Sequence, residues 1–217
     1  MTKSIRTLTF RRVNACLVRT DAGFVLIDAG MAGNRATLDR ELHAAGCGLG
    51  DLRLIVITHG DPDHSGNAAY LRAKYEAKIA MHKAEAAAVE RGNMFLSRGP
   101  LPPVRRMLKP LISLFRLRKR DRFTPDLYIE DGDRLDEYRL AATILHAPGH
   151  TAGSIAVLTD TGTFFSGDFL ENRTHSSVAT LVDDAEALEA SFERVKKLDI
   201  RTVYPRHGKA FSMGEVE

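Results

Sequence analysis

The chain has 217 residues, with 31 Lys and Arg against 28 Asp and Glu, a formal net charge of +3 and 44% hydrophobic residues. That composition excludes an intrinsically disordered chain and supplies enough apolar residues for a substantial core. Two cysteines, Cys16 and Cys47, exclude both a disulfide framework and a cysteine-built zinc site, which makes a reducing, cytoplasmic setting the expectation. No apolar run reaches the roughly 18 residues that span a bilayer, and the N-terminus leads straight into alternating residues, not a signal-peptide core.

The first 30 residues read as strands. An alternating stretch passes through Leu8 and Phe10, then come Ala15-Cys16-Leu17-Val18, a turn signal at Thr20-Asp21-Ala22-Gly23, and a buried-type run Phe24-Val25-Leu26-Ile27 ending at Asp28. Residues 34–46 predict a helix, because Leu38, Leu42 and Ala45 recur at i, i+4 and i+7 with Gly46 as the stop. Residues 52–57 form a β-branched apolar run that breaks into Thr58-His59-Gly60-Asp61-Pro62-Asp63-His64. A helix is expected over 66–75, a strand over 78–81 and an Ala/Glu-rich helix over 83–91. Residues 92–125 interrupt this rhythm with glycines and prolines. Strands then resume near 126–130, 139–146, 154–159 and 163–166, followed by a helix over 185–198 and a last strand at 202–204. Strand-rich blocks followed by helices indicate an α/β sandwich, read as one domain over 1–217 with residues 92–125 inserted.

The densest chemical signal is His59, Asp61, Asp63 and His64, four ligand-type side chains in six residues directly after a buried strand. Gly60 and Pro62 argue for a loop there in preference to a regular helix. Imidazole and carboxylate together suit zinc, iron or manganese. The competing reading is a polar helix start capped by Asp63 or Ser65. It weakens because the same design recurs: His150 in Pro148-Gly149-His150, Asp168 in Ser166-Gly167-Asp168 and His207 in Arg206-His207-Gly208 each follow an apolar run and adjoin glycine.

In this order, Asp28, His59-x-Asp61-x-Asp63-His64, Gly149-His150, Gly167-Asp168 and His207 resemble the signature of the metallo-β-lactamase superfamily, over nearly the whole chain except residues 92–125. The resemblance implies a four-layer αββα sandwich with two divalent metal ions at one edge, zinc foremost and iron or manganese as alternatives. It implies that His59 and His150 bind the first ion, that Asp63, His64 and His207 bind the second, and that Asp168 bridges both. Asp28 would support a ligand by hydrogen bonding. The implied nucleophile is a metal-bridging hydroxide, and Asp63 would orient it or carry a proton to the leaving group. Position 61 departs from the usual pattern, being Asp where the hydrolases have His. Ligation by Asp61 is the favoured outcome; the alternative is that this shorter side chain misses the ion and leaves the first site weak. His175, seven residues past Asp168, is a candidate to face the substrate. His43 reads as a solvent-facing helix residue, and His82 and His146 as structural.

Residues 91–122 hold ten cations against the single anion Asp121, a net +9 against −6 for the remaining chain. Met107, Leu108, Leu111, Ile112 and Phe115 recur at helical spacing, which predicts one or two short amphipathic helices. The leading reading is a lid or homodimer element beside the site; membrane or nucleic-acid contact is less favoured. The expected activity is hydrolysis of a small-molecule ester, thioester or lactone, with a β-lactam as a further substrate. The alternatives are a phosphodiesterase or nuclease acting on an acidic substrate, and a diiron redox protein.

Overall fold

The computed structural model describes residues 4–10, 13–98 and 116–216. Six strands form the first sheet in sequence order: β1 (Ser4–Phe10), β2 (Val13–Thr20), β3 (Gly23–Ile27), β4 (Leu52–Ile57), β5 (Lys78–Met81) and β6 (Leu127–Tyr128). The first three pair antiparallel, and β3 to β6 run parallel. The parallel register needs crossovers, which α1 (Arg35–Ala44) and α3 (Ala68–Tyr75) supply. The second sheet has β7 (Ala142–His146), β8 (Ile155–Thr159), β9 (Thr163–Gly167), β12 (Thr202–Pro205) and β13 (Phe211–Ser212), in the order β13-β12-β9-β8-β7. A hairpin of β10 (Leu170–Asn172) and β11 (Ser176–Val178) stands apart. These three short pieces, β10, β11 and β13, carry too few alternating residues to be predicted from sequence.

Strand alternation decides the layers. On β3 and β4, Val25, Ile27, Leu54 and Val56 point inward and meet Ile144, Ile155, Val157 and Phe165 of the second sheet. Their neighbours Leu26, Ile55 and Ile57 point outward against Leu38 and Leu42 of α1 and Leu71 of α3. On the far side, Ala156, Phe164 and Val203 pack against Leu188 and Val195 of α5 (Ala185–Val195). Burying each such aliphatic side chain contributes about 1.5–3 kcal/mol, so both faces of each central strand are committed. The result is the expected helix–sheet–sheet–helix sandwich.

Two predicted elements are corrected. A short helix, α2 (Pro62–Ser65), occupies the ligand loop that Gly60 and Pro62 were expected to keep non-helical. Pro62 sits at the first helical position, where a missing N–H costs nothing. The 83–91 helix begins as a 3₁₀ turn (Lys83–Glu85) before α4 (Ala86–Arg91). Of the insertion, residues 99–115 lie outside the described residues, and with them the predicted amphipathic helices. Its ends are anchored: Leu117 and Phe123 are buried in the first core, and Asp121 is buried against Arg35. Among the described residues, no helix is long and apolar enough to cross a membrane.

Candidate metal centre

The loops leaving β3, β4, β7, β9 and β12 meet at one edge of the sandwich. Asp28 ends β3 with φ of 60°, a left-handed conformation uncommon outside glycine. The turn aims its carboxylate sideways into the β4 loop. Thr58 donates to Asp28 Oδ1 through its backbone N–H at 2.9 Å, and Thr58 Oγ1 lies 3.0 Å from both carboxylate oxygens. Asp28 Oδ2 is 2.9 Å from His64 Nδ1, which leaves Nε2 of that ring to face the centre. In the same way, His150 Nδ1 donates to the Leu181 carbonyl at 2.5 Å and presents Nε2. Glycines permit the close approach of these loops. At Gly149, φ is +138° and an added Cβ would lie 2.5 Å from Leu188 Cβ; at Gly167, φ is +54° and it would lie 2.7 Å from Thr58 Oγ1.

Two trios of ligand-type atoms result, each within 4.8 Å: His59, Asp61 and His150, and His59, His64 and Asp168. Asp61 Oδ2 is 3.5 Å from His59 Nε2 and 3.6 Å from His150 Nε2, so the shorter side chain does reach the imidazoles. Asp168 joins the two halves, with Oδ1 at 3.3 Å from His64 Nε2 and 3.6 Å from His207 Nε2, and Oδ2 at 3.7 Å from His150 Nε2. Asp63 is partly exposed, with Oδ2 3.7 Å from His64 Nε2. His59 Nε2, His64 Nε2, His150 Nε2, Asp61 Oδ1 and Asp168 Oδ1 are buried without hydrogen-bond partners among the described residues. Four of these atoms, on His59, His64, His150 and Asp168, belong to the clustered ligand-type side chains and fit divalent cations, because buried polar groups otherwise find partners.

Charge is correspondingly concentrated. Burial opposes ionisation of Asp61 and Asp168, yet both are held well below the usual carboxylate range, Asp61 by Arg98 and His59, Asp168 by the histidines around it. Burial and the neighbouring His64 push His59 down. For His64, burial is more than offset by Asp28, with Asp168 and Asp63 adding to it, and its value rises to about 10.

Of the residues predicted for the centre, His59, Asp61, His64, His150 and Asp168 form the two trios, while Asp63 and His207 lie beside them, 3.7 Å from His64 and 3.6 Å from Asp168. His175 is exposed, its Nδ1 3.1 Å from Thr174 Oγ1. A cavity of about 640 Å³ opens at His207 and is lined also by Thr9, Asn14, Arg173, Thr174, Gly208 and Lys209. His43 is exposed as expected, and His82 stacks on His146 at 4.5 Å between centroids.

Sequence reasoning missed three supports. Glu85 is fully buried and accepts from the Gly60 N–H at 2.8 Å and the Gly153 N–H at 3.0 Å, tying two ligand loops together. Asn14 donates from Nδ2 to the carbonyls of Pro205 and Gly208, at 3.0 and 2.7 Å, bracketing His207. Arg98, counted above among the cations of the basic run, is internal: its side chain is 6% exposed and paired with Asp61 and Asp183. Nothing in local spacing distinguishes Glu85 or Arg98 from neighbouring charged residues.

The Metallo-beta-lactamase superfamily model matches residues 8–207. Among curated proteins, the chain is 30% identical over 227 residues to the human acyl-coenzyme A thioesterase MBLAC2 and 29% over 225 residues to its counterpart in Gallus gallus, in each case over 92% of this chain and 74% of the relative. Among solved structures, TTHA1623 in a di-iron-bound form superposes with a TM-score of 0.73 at 26% identity, covering 97% of this chain and 95% of that one. The metallo-beta-lactamase GOB-18 from Elizabethkingia meningoseptica has the same fold, with a TM-score of 0.71 at 21% identity over 94% of this chain and 73% of that one. The ordered ligand-type residues, the layered sandwich and these matches agree, and the chain belongs to the metallo-beta-lactamase superfamily as a metallo-hydrolase.

Proposed function

We propose that this chain hydrolyses thioesters, and related small esters or lactones, at a binuclear metal centre. The clustering of buried, unpartnered His59, His64, His150 and Asp168 atoms at one sheet edge carries this reading. His59, Asp61 and His150 would hold the first ion, Asp63, His64 and His207 the second, with Asp168 between them. Zinc is the proposed metal. Two such ions supply an activated water and polarise the scissile carbonyl. The chain's own residues fix the geometry: Asp28 and the Leu181 carbonyl orient the His64 and His150 rings. Asp63, the most exposed carboxylate of the set, would pass a proton to the leaving group. Among the acyl-transfer substrates, thioesters are favoured by the activity named for the MBLAC2 relatives and by the cationic Lys209 in the cavity wall at His207, which suits an anionic leaving portion. Residues 92–125 are read as an insertion in a single domain, serving as a lid or a homodimer contact.

The test is a panel of thioesters, lactones, β-lactams and phosphodiesters on one metal-quantified preparation. Thioester turnover lost in both His64→Ala and His150→Ala is the expected result; turnover retained in both overturns the assignment. Metal analysis of the same sample should find zinc, and iron would instead favour the diiron reading.

A phosphodiesterase reading has one observation in its favour. Arg116, Arg118 and Arg120 line a cavity of about 270 Å³ that also touches Pro62 and Gly66 of the ligand loop. Phosphate contacts there would make binding to RNA or DNA weaken steeply with salt. Gel shifts at two salt concentrations decide it, and no retardation at the lower one removes this reading.

A further inference from the structure

The departure at position 61 has a partner. Arg98 Nη2 lies 2.5 Å from Asp61 Oδ2, the same oxygen that stands 3.5 and 3.6 Å from the His59 and His150 imidazoles. Nη1 of the same guanidinium is 2.9 Å from Asp183 Oδ1. All three side chains are more than nine-tenths buried, with exposures of 6% for Arg98, 9% for Asp61 and 6% for Asp183. The second anchor is itself tied to the His150 loop, because the Asp183 and Asp184 N–H groups both donate to the Gly149 carbonyl, at 2.8 and 3.0 Å. Asp183 also lies just before the N-terminus of α5, where the helix dipole favours a negative charge.

A carboxylate in place of an imidazole adds one negative charge to the donor set, and a guanidinium in contact with it offsets that charge in part, because the same guanidinium is shared with Asp183. We propose that Asp61 and Arg98 act together as one charge-compensated ligand in the place of the usual imidazole, with Arg98 as the positioning residue. A carboxylate oxygen has lone pairs enough to accept one N–H and bind a cation. Arg98 therefore fixes the Asp61 rotamer and weakens the pull of its charge without removing it as a ligand. Asp183 holds the other arm of the guanidinium, at 2.9 Å from Nη1. In this arrangement His at position 61 is compatible with the centre only if the cation at position 98 is absent. Arg98→Lys would keep the charge but lose the fork that spans two carboxylates.

This inference rests on the proposed metal centre, and its test reads metal binding, not turnover. Wild type, Asp61→His, Arg98→Met and the double variant are stripped, reloaded with zinc and titrated against a chromophoric chelator to give equivalents bound and the affinity of the weaker ion. Asp61→His should weaken that ion at least tenfold in the Arg98 background, although it restores the superfamily's usual residue. In the Arg98→Met background the same change should cost less than threefold, so that the two positions are coupled by a factor of about three or more. Asp61→His that binds two ions as tightly as wild type overturns the proposal, and this single variant suffices if Arg98→Met does not fold. Equal costs in both backgrounds also overturn it. Wild type that binds no metal refutes the metal centre itself, a result distinct from two bound ions with an additive cycle.

Discussion

Asp28 Oδ2 stands 2.9 Å from His64 Nδ1, while Nε2 on the opposite side of the same ring lies 3.3 Å from Asp168 Oδ1. One carboxylate thus sets the tautomer and tilt of the imidazole, and the other shares the space the imidazole faces. Carboxylate partners of this kind typically affect metal affinity by about 10–100-fold. Asp28→Ala should therefore lower affinity for the ion at His64 by that factor, measured by chelator competition. Affinity unchanged within about twofold would show that Thr58 alone orients the ring.

The same pair sets a pH dependence in the metal-stripped protein. An imidazole whose value is raised on folding contributes stability that is complete below its unfolded value and is lost as pH rises through its folded value. For His64 that window runs from about 6.5, the unfolded value, to about 10, the folded one. The unfolding midpoint of stripped protein should fall as pH rises across it. Metal takes the neutral imidazole, so zinc affinity should rise over the same window, with a proton released on uptake. Stability of the stripped protein that is flat between those limits would contradict the His64 assignment.

Among the described residues, Glu85 accepts from the N–H groups of both Gly60 and Gly153. Leaving buried donors unsatisfied costs about 1–3 kcal/mol. Glu85→Ala should lower unfolding free energy by at least that amount in denaturant titrations, and should reduce turnover because both ligand loops lose their tie. Glu85→Gln keeps one acceptor oxygen and should fall between the two. A Glu85→Ala protein as stable as wild type would show that other groups hold the loops.

Gly149 tests how tightly His150 is packed. Alanine there would adopt φ of +138° and press its Cβ to 2.5 Å from Leu188 Cβ on α5. A strained backbone of this kind costs about 1–3 kcal/mol, before the clash is counted. Gly149→Ala should lower the melting temperature and, by shifting the His150 loop, weaken metal retention. Unaltered metal content with full stability would mean that α5 moves away at no cost.

Much of the fold and of the candidate centre is legible in the sequence, for identifiable reasons. The run of residues 52–57 and the strand at 78–81 were read at their observed limits, because buried parallel strands are continuous apolar stretches bounded by turn residues. His59, Asp61, Asp63, His64, His150, Asp168 and His207 stood out because each follows such a stretch and adjoins glycine or proline, or sits within the same short loop. The α2 turn escaped because Pro62 was read as a breaker, when the first helical position is where proline is best tolerated. The strands β10, β11 and β13 escaped because two or three residues carry no period.

The sequence by itself determined the order of the longer strands and helices, the two-faced burial of the central strands and the set of residues with metal-binding chemistry. Those properties are local: they depend on residue type, alternation and the breakers that end each run. The tertiary structure alone decided which charges are inside. Arg98 lies in a run of cations that reads as a solvated surface, yet it is buried between Asp61, 37 residues earlier, and Asp183, 85 residues later. Glu85 looks like any glutamate of an Ala/Glu-rich helix, yet it bridges loops around Gly60 and Gly153. A charge can be buried only where the fold supplies its opposite or its hydrogen-bond partners, and distant segments supply both here. The net charge of +3 divides accordingly, since one cation of the basic run belongs electrostatically to the centre.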